Sequence, residues 1–127
     1  MATAAQYAAT PRAAVGQVVT ANTNRDGTGT LATIFTAGSS GSRVDDIKIQ
    51  ALATTTAGVV RLFLHDGTNA RLWQEIMVTA TTPSTSVQAF NTTLYNQALV
   101  LPNGWSLRAS TNNAEGFNIL VTRAGDF

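Results

Sequence analysis

Apolar and polar residues alternate with a period of two in the middle of the chain, the pattern of strands that keep one face dry. The alternation is clearest over residues 59–78. There Val60, Leu62 and Leu64 interleave with Arg61, Phe63 and His65, and after Asp66-Gly67-Thr68-Asn69 the residues Leu72, Gln74, Ile76 and Val78 interleave with Trp73, Glu75 and Met77. Asp-Gly tolerates the positive φ that a primed turn requires, so this stretch predicts a tight antiparallel hairpin near the centre of a sheet. If the two arms pair in simple register, Arg61, Phe63, His65, Arg71, Trp73, Glu75 and Met77 share one face. That set mixes aromatic and charged residues as the core and rim of a protein interface do.

The same grammar recurs on both sides of the hairpin. Strands are expected over 15–21 and 31–37, separated by the turn-forming run 22–29, and over 44–53, where Ile47, Ile49 and Ala51 alternate with Asp46, Lys48 and Gln50. After the hairpin come 87–94, the pair 99–101 and 105–109 around Pro102-Asn103-Gly104, and 117–122. Eight to nine short strands spaced by turn residues, with no long helical pattern, predict an all-β antiparallel sandwich, jelly-roll-like with about eight strands. Residues 1–14 are rich in Ala and broken by Pro11, so they read as an N-terminal arm, with a short helix over 3–9 as the alternative; 15–127 is then one sandwich domain. A chain of 127 residues is the size of one such domain.

Charge narrows the functional classes. Only 12% of residues are charged, against roughly 25% in ordinary soluble proteins, and the single lysine is Lys48. Either the surface is covered by something else or it is a neutral Thr, Ser and Asn surface of the kind common in β-proteins. With a net charge of +1 and basic residues scattered singly, no stripe exists to neutralise phosphates, so nucleic acid is not an expected partner. The absence of cysteine removes disulfides, thiolate ligands and cysteine nucleophiles. Neither a signal peptide nor about 20 consecutive apolar residues occur, so no membrane span is expected.

Candidate chemistry is sparse. His65 is the only histidine and has no nucleophile or orienting group in a shared motif, which makes a structural or solvent-facing role the simpler one. One histidine and no cysteine leave zinc without ligands, Asp45-Asp46 and Asp66 lack the spacing of a calcium loop, and Glu75 and Glu115 form no recognisable pair. Asp26-Gly27-Thr28-Gly29 and Asp66-Gly67-Thr68-Asn69 are alike and read most simply as turns; the first also lacks the context of a dinucleotide site. No metal, cofactor or catalytic residue is therefore expected. Trp73 and Trp105 could stack on a sugar or anchor a partner, although burial of both faces of their strands is the favoured alternative.

Residues 60–78, the segment Leu101-Pro102-Asn103-Gly104-Trp105-Ser106-Leu107-Arg108-Ala109-Ser110 and the ending Gly125-Asp126-Phe127 resemble a group of small virion structural proteins of tailed bacteriophages, among them capsid decoration (cement) proteins. The likeness covers about the last two thirds of the chain and carries no residue-level motif. It implies a protein on the capsid surface, made in the host bacterial cytoplasm, that bridges capsomers of the major capsid protein, often as a homotrimer with an N-terminal arm. Tail or neck proteins and a carbohydrate- or receptor-binding β-module are the alternatives. The interface residues come from the residue pattern alone: Tyr7, Arg12, Arg61, Phe63, His65, Arg71, Trp73 and Met77.

Overall fold

The computed structural model describes residues 9–127. Tyr7 and the expected arm over residues 1–8 lie outside them. The described residues form nine strands and no helix: β1 (Thr10–Val18), β2 (Ala32–Thr36), β3 (Ser42–Ala51), β4 (Gly58–His65), β5 (Ala70–Val78), β6 (Asn91–Leu94), β7 (Leu99–Leu101), β8 (Ser106–Thr111) and β9 (Phe117–Asp126). They make two antiparallel sheets packed face to face, a β-sandwich as the alternation predicts. One sheet runs β1-β9-β3, with β6 and β7 both on the far side of β3; the other runs β2-β8-β4-β5. The pairings are nested: first strand with last, β2 with β8, β3 with β6 and β7, and β4 with β5.

The core is the space between the sheets. Val44, Ile47 and Ile49 from β3, Ile119 and Val121 from β9, Val60 and Leu62 from β4, Leu107 from β8 and Phe35 from β2 are all at or below 1% exposure there. Phe117 adds an edge-to-face contact with Phe90, centroids 6.4 Å apart. Burying each such side chain contributes about 1.5–3 kcal/mol against the entropy of ordering the chain.

Three departures from simple alternation follow from the same burial requirement. Val44 and Ile47 are both buried although three positions apart, which an unbroken strand cannot do; the register against β9 shifts between them, and Asp45 takes up the extra residue. Ile34 and Phe35 are adjacent and both in the core because β2 shifts register there. In the central hairpin the shift falls at Trp73: Leu62 pairs with Gln74 but Phe63 pairs with Leu72. The expected common face of the hairpin is therefore broken. Beyond the bulge Leu72 joins Phe63, Arg71 joins Leu64, and Trp73 packs half-buried against the core, as does Trp105.

Other boundaries move as well. The strand begins at Thr10, not at residue 15, so residues 10–14 of the expected arm belong to the sandwich. Small side chains bury little, but β1 is held by its ladder to β9 and by Arg12, whose guanidinium lies 4.2 Å over the Phe35 ring and donates to Thr36 O at 3.0 Å and to Asp126 Oδ1 at 2.8 Å. Arg12 thus ties one sheet to the other. Residues 87–90 stay outside β6. The hairpin ends in a four-residue loop, not a two-residue primed turn, with Gly67 at φ 96° and the Asp66 carboxylate accepting from Thr68 N and Asn69 N.

Candidate functional site

The outer face of the β2-β8-β4-β5 sheet is covered by the chain itself. Residues 19–31 leave β1, bridge to Thr111 at Ala21, and fold over that face before entering β2. Buried Asn22 organises the loop: its amide nitrogen donates to Thr28 O at 3.0 Å and Thr30 O at 2.9 Å, while its oxygen accepts from Asn24 N at 3.0 Å. Arg25 reaches across to Glu75 at 3.0 Å, and Glu75 also accepts from Arg61 at 3.1 Å. These hydrogen bonds, Arg25's first and then Arg61's, hold the Glu75 carboxyl below its ordinary pKa. Gly27, at φ 88°, lies so close to β5 that a Cβ would stand 2.4 Å from Ala70 O, a space only glycine fits.

This cover decides the fate of the residues expected to form an interface. Phe63 is 0% exposed and Arg61 5%, although both point away from the intersheet core. They are interior residues under the loop, so the face expected from Arg61 and Phe63 is not presented to a partner. Arg61 Nη1 and Ser110 Oγ, on residues paired across β4 and β8, are buried there without a hydrogen-bond partner in the protein. Of the remaining candidates, Met77 is 64% exposed at the β5 edge, while His65 and Arg71 stay accessible at the hairpin end.

His65 and Arg71 come together in a cleft of ≈ 530 Å³. One wall is residues 26–31 of the covering loop and the other is the hairpin end 68–71, with Arg108 of β8 also lining it. Both walls are braced from within. Asp26 accepts from Thr28 Oγ1 at 2.6 Å and Thr28 N at 3.1 Å, and Asp66 accepts from Asn69 N at 2.8 Å and Thr68 N at 2.9 Å. The Thr28 hydroxyl and amide lower the pKa of Asp26; the Asn69 and Thr68 amides lower that of Asp66. His65 Nδ1 accepts from Gly67 N at 3.1 Å. Of the two similar Asp-Gly-Thr runs, the whole of the first and Thr68 of the second line this cleft. Arg108 carried no signal in the sequence, because only the β4–β8 register brings it beside Phe63 and the hairpin end.

Among the described residues, none folds over the outer side of the other sheet. Across β1, β9, β3 and β6 one row reads Val15, Leu120, Lys48, Thr93 and the next Gln17, Asn118, Gln50, Asn91. Val15 is 74% exposed, and Gln17 Nε2 donates to Asn118 Oδ1 at 3.2 Å. Lys48 is the one charge in these two rows. Toward the β7 end the charges neutralise one another: Asp45, 1% exposed, meets Arg43 at 3.2 Å, and Asp46 meets Arg123 at 3.2 Å.

Among the described residues no group of three or more His, Cys, Asp or Glu side chains is placed to hold a metal ion. Among the described residues the surface offers a β-sandwich with one self-covered sheet, one sheet whose outer face carries apolar and amide rows with a single cation, and a polar cleft at one end. Compared with protein-family models, curated proteins and solved structures, the chain matches none of them.

Proposed function

We propose that the protein is a structural component of a tailed-phage virion, a capsid decoration protein that binds the assembled shell through the outer face of its β1-β9-β3 sheet and stabilises the head by bridging copies of the major capsid protein. The observation that carries this reading is the contrast between the two sheets: a thirteen-residue loop covers one of them, and no loop of the described residues covers the other. The rows with Val15 and Leu120 beside the amides of Gln17, Asn118, Gln50 and Asn91, and the single cation Lys48, meet a partner at small desolvation cost and without charge steering. A protein that binds the shell and not its dissociated parts stabilises the shell by mass action. Assembly as a homotrimer belongs to the same proposal.

The nested pairing supports it further. First with last, second with second-to-last and so inward is the order produced when an eight-stranded hairpin rolls into two sheets, and we read the fold as a jelly roll with one strand split into β6 and β7. Viral capsid domains use that fold, but so do lectins, so the analogy alone does not choose between them. The decisive experiment is electron cryo-microscopy of virions carrying the protein, together with Val15→Asp. Density repeated over the shell, lost in the variant while its melting temperature is unchanged, is the expected result. Density confined to neck or tail, or a Val15→Asp protein that decorates shells as well as the parent, would refute the assignment.

A further inference from the structure

Three turns of the sandwich carry an Asp or Asn followed by glycine: Asp26-Gly27, Asp66-Gly67 and Asn103-Gly104. Such a pair is reactive, because a glycine amide nitrogen, unshielded by a side chain of its own, can attack the preceding side chain at Cγ and close a five-membered imide. How firmly each pair is held decides whether it reacts. The two aspartates are held. Asp26 Oδ1 accepts from Thr28 Oγ1 at 2.6 Å and from Thr28 N at 3.1 Å, and Asp66 Oδ1 accepts from Asn69 N at 2.8 Å and from Thr68 N at 2.9 Å. These contacts keep both groups as carboxylates, led by the Thr28 hydroxyl for Asp26 and the Asn69 amide for Asp66, and an ionised carboxylate has no leaving group to offer. The attacking nitrogen is engaged as well at Gly67, whose N–H donates to His65 Nδ1 at 3.1 Å.

Asn103-Gly104 has none of these restraints. It is the one Asn-Gly pair in the chain, exposed at the tip of the turn that carries the chain from β7 in one sheet to β8 in the other. The turn is closed by Trp105 N, which donates to Pro102 O at 3.0 Å. Among the described residues neither the Asn103 side-chain amide nor the Gly104 N–H makes a hydrogen bond, and no atom stands within 4 Å of where a Gly104 Cβ would be. We infer that Asn103-Gly104 is a site of spontaneous deamidation, at which the turn between β7 and β8 is converted through a cyclic imide to aspartate and isoaspartate. The bond from Gly104 N to Asn103 Cγ forms as the bond from Cγ to Nδ2 breaks. The displaced amide proton leaves with Nδ2 as ammonia, and one water opens the imide at either carbonyl. The product gains a carboxylate, which takes the formal net charge from +1 to 0, and isoaspartate also adds a carbon to the main chain of the turn. This change falls beside the turn that holds Asp66, since Gly104 O is the atom nearest to a Cβ built on Gly67, at 3.5 Å. An aged copy therefore presents a more acidic end of the sandwich than a new one. Nothing in this step depends on what the outer face of the β1-β9-β3 sheet binds.

The test follows the folded whole chain through prolonged incubation in warm neutral and weakly alkaline buffers, read by isoelectric focusing, peptide mass spectrometry and enzymatic methylation of isoaspartate. The expected result is an acidic form that accumulates with time, and faster at higher pH because the attacking nitrogen must lose its proton. The new acid maps to residue 103 as a mixture of aspartate and isoaspartate. Asn103→Gln, whose longer side chain requires a six-membered ring, should lose the acidic form; as a substitution at an exposed turn tip it leaves the fold intact. Asp26, Asp66 and the pair Asn112-Asn113, whose side chains are hydrogen-bonded, should stay unmodified over the same period. A parallel sample unfolded in guanidinium chloride separates the chemistry from the fold. If the folded protein forms no acid at residue 103, the inference is wrong, and reaction in guanidinium chloride alone would assign the protection to the turn. Asn112 or Asn113 reacting first, or aspartate forming without isoaspartate, the mark of direct hydrolysis by water, would overturn it equally.

Discussion

Phe63 tests whether the covering loop is part of the folded interior. The ring points away from the intersheet core yet is 0% exposed, so its burial depends on residues 19–31 staying on the sheet. If the loop is as firmly packed as the core, Phe63→Ala removes a fully buried ring and should destabilise by about 3–5 kcal/mol, as in a true core. An unfolding entropy near 2.1 cal/mol/K per residue is about 0.27 kcal/mol/K for 127 residues, so each kcal/mol lowers the melting temperature by about 4 °C. The expected loss is about 11–19 °C in a thermal melt followed by circular dichroism. Met77→Ala on β5, at 64% exposure, is the control and should change stability by less than about 0.5 kcal/mol. The mechanism is checked by Gly27→Val, whose side chain must displace the loop from Ala70. Once the loop is lifted, Phe63→Ala should cost much less than in the parent, a coupling that a double-mutant cycle measures. A drop under about 2 °C for Phe63→Ala, or additive effects of the two substitutions, would show that the loop does not seal this face.

Arg12→Ala should cost about 1–2 kcal/mol in urea unfolding, because it removes a cation–π contact with Phe35 and a hydrogen bond to Thr36 that join the sheets, and a hydrogen bond to Asp126 within its own sheet. The Asp126 carboxyl is held below 3.8, first by the Ser42 hydroxyl and then by Arg12; its contribution is therefore fully present above that pH and lost as pH falls through the lower folded value. Asp126→Asn should be less stable than the parent at neutral pH and show a flatter loss of melting temperature on acidification; an unchanged acid slope would remove Asp126 from the account. Gly67→Val should cost about 1–2 kcal/mol from φ alone, since the nearest atom to a Cβ there, Gly104 O, is at 3.5 Å; equal stability in a chemical melt would contradict the observed turn. Ala98→Gly should instead stabilise by about 0.5–1 kcal/mol, because Ala98 sits at φ 48°, pinned by its amide to Asp45 Oδ1 at 2.8 Å; a lower unfolding midpoint would show no strain there.

The alternation of residues 44–51 and 59–78 was enough to establish an all-β antiparallel sandwich, because burying one face of each strand is a local requirement written in period two. Sequence also marked the turns at Asp26-Gly27 and Asp66-Gly67, where a positive φ at glycine is needed. It did not reveal the bulges at Asp45 and Trp73, although the three-residue spacing of Val44 and Ile47 carried the first in plain view. The Trp73 bulge reverses which face Arg71 and Leu72 take. Nor could the pattern show what covers a mixed face. Arg61 and Phe63 look the same in sequence whether a partner or the chain's own loop buries them, and Arg12 looks like part of an arm until β9 and Phe35 stand beside it. Period and turn chemistry are local, so the chain determined its strands by itself. Which faces stay free depends on contacts between residues far apart in sequence, and only the tertiary structure decided that Arg61 and Phe63 are interior while Val15 is left to meet something else.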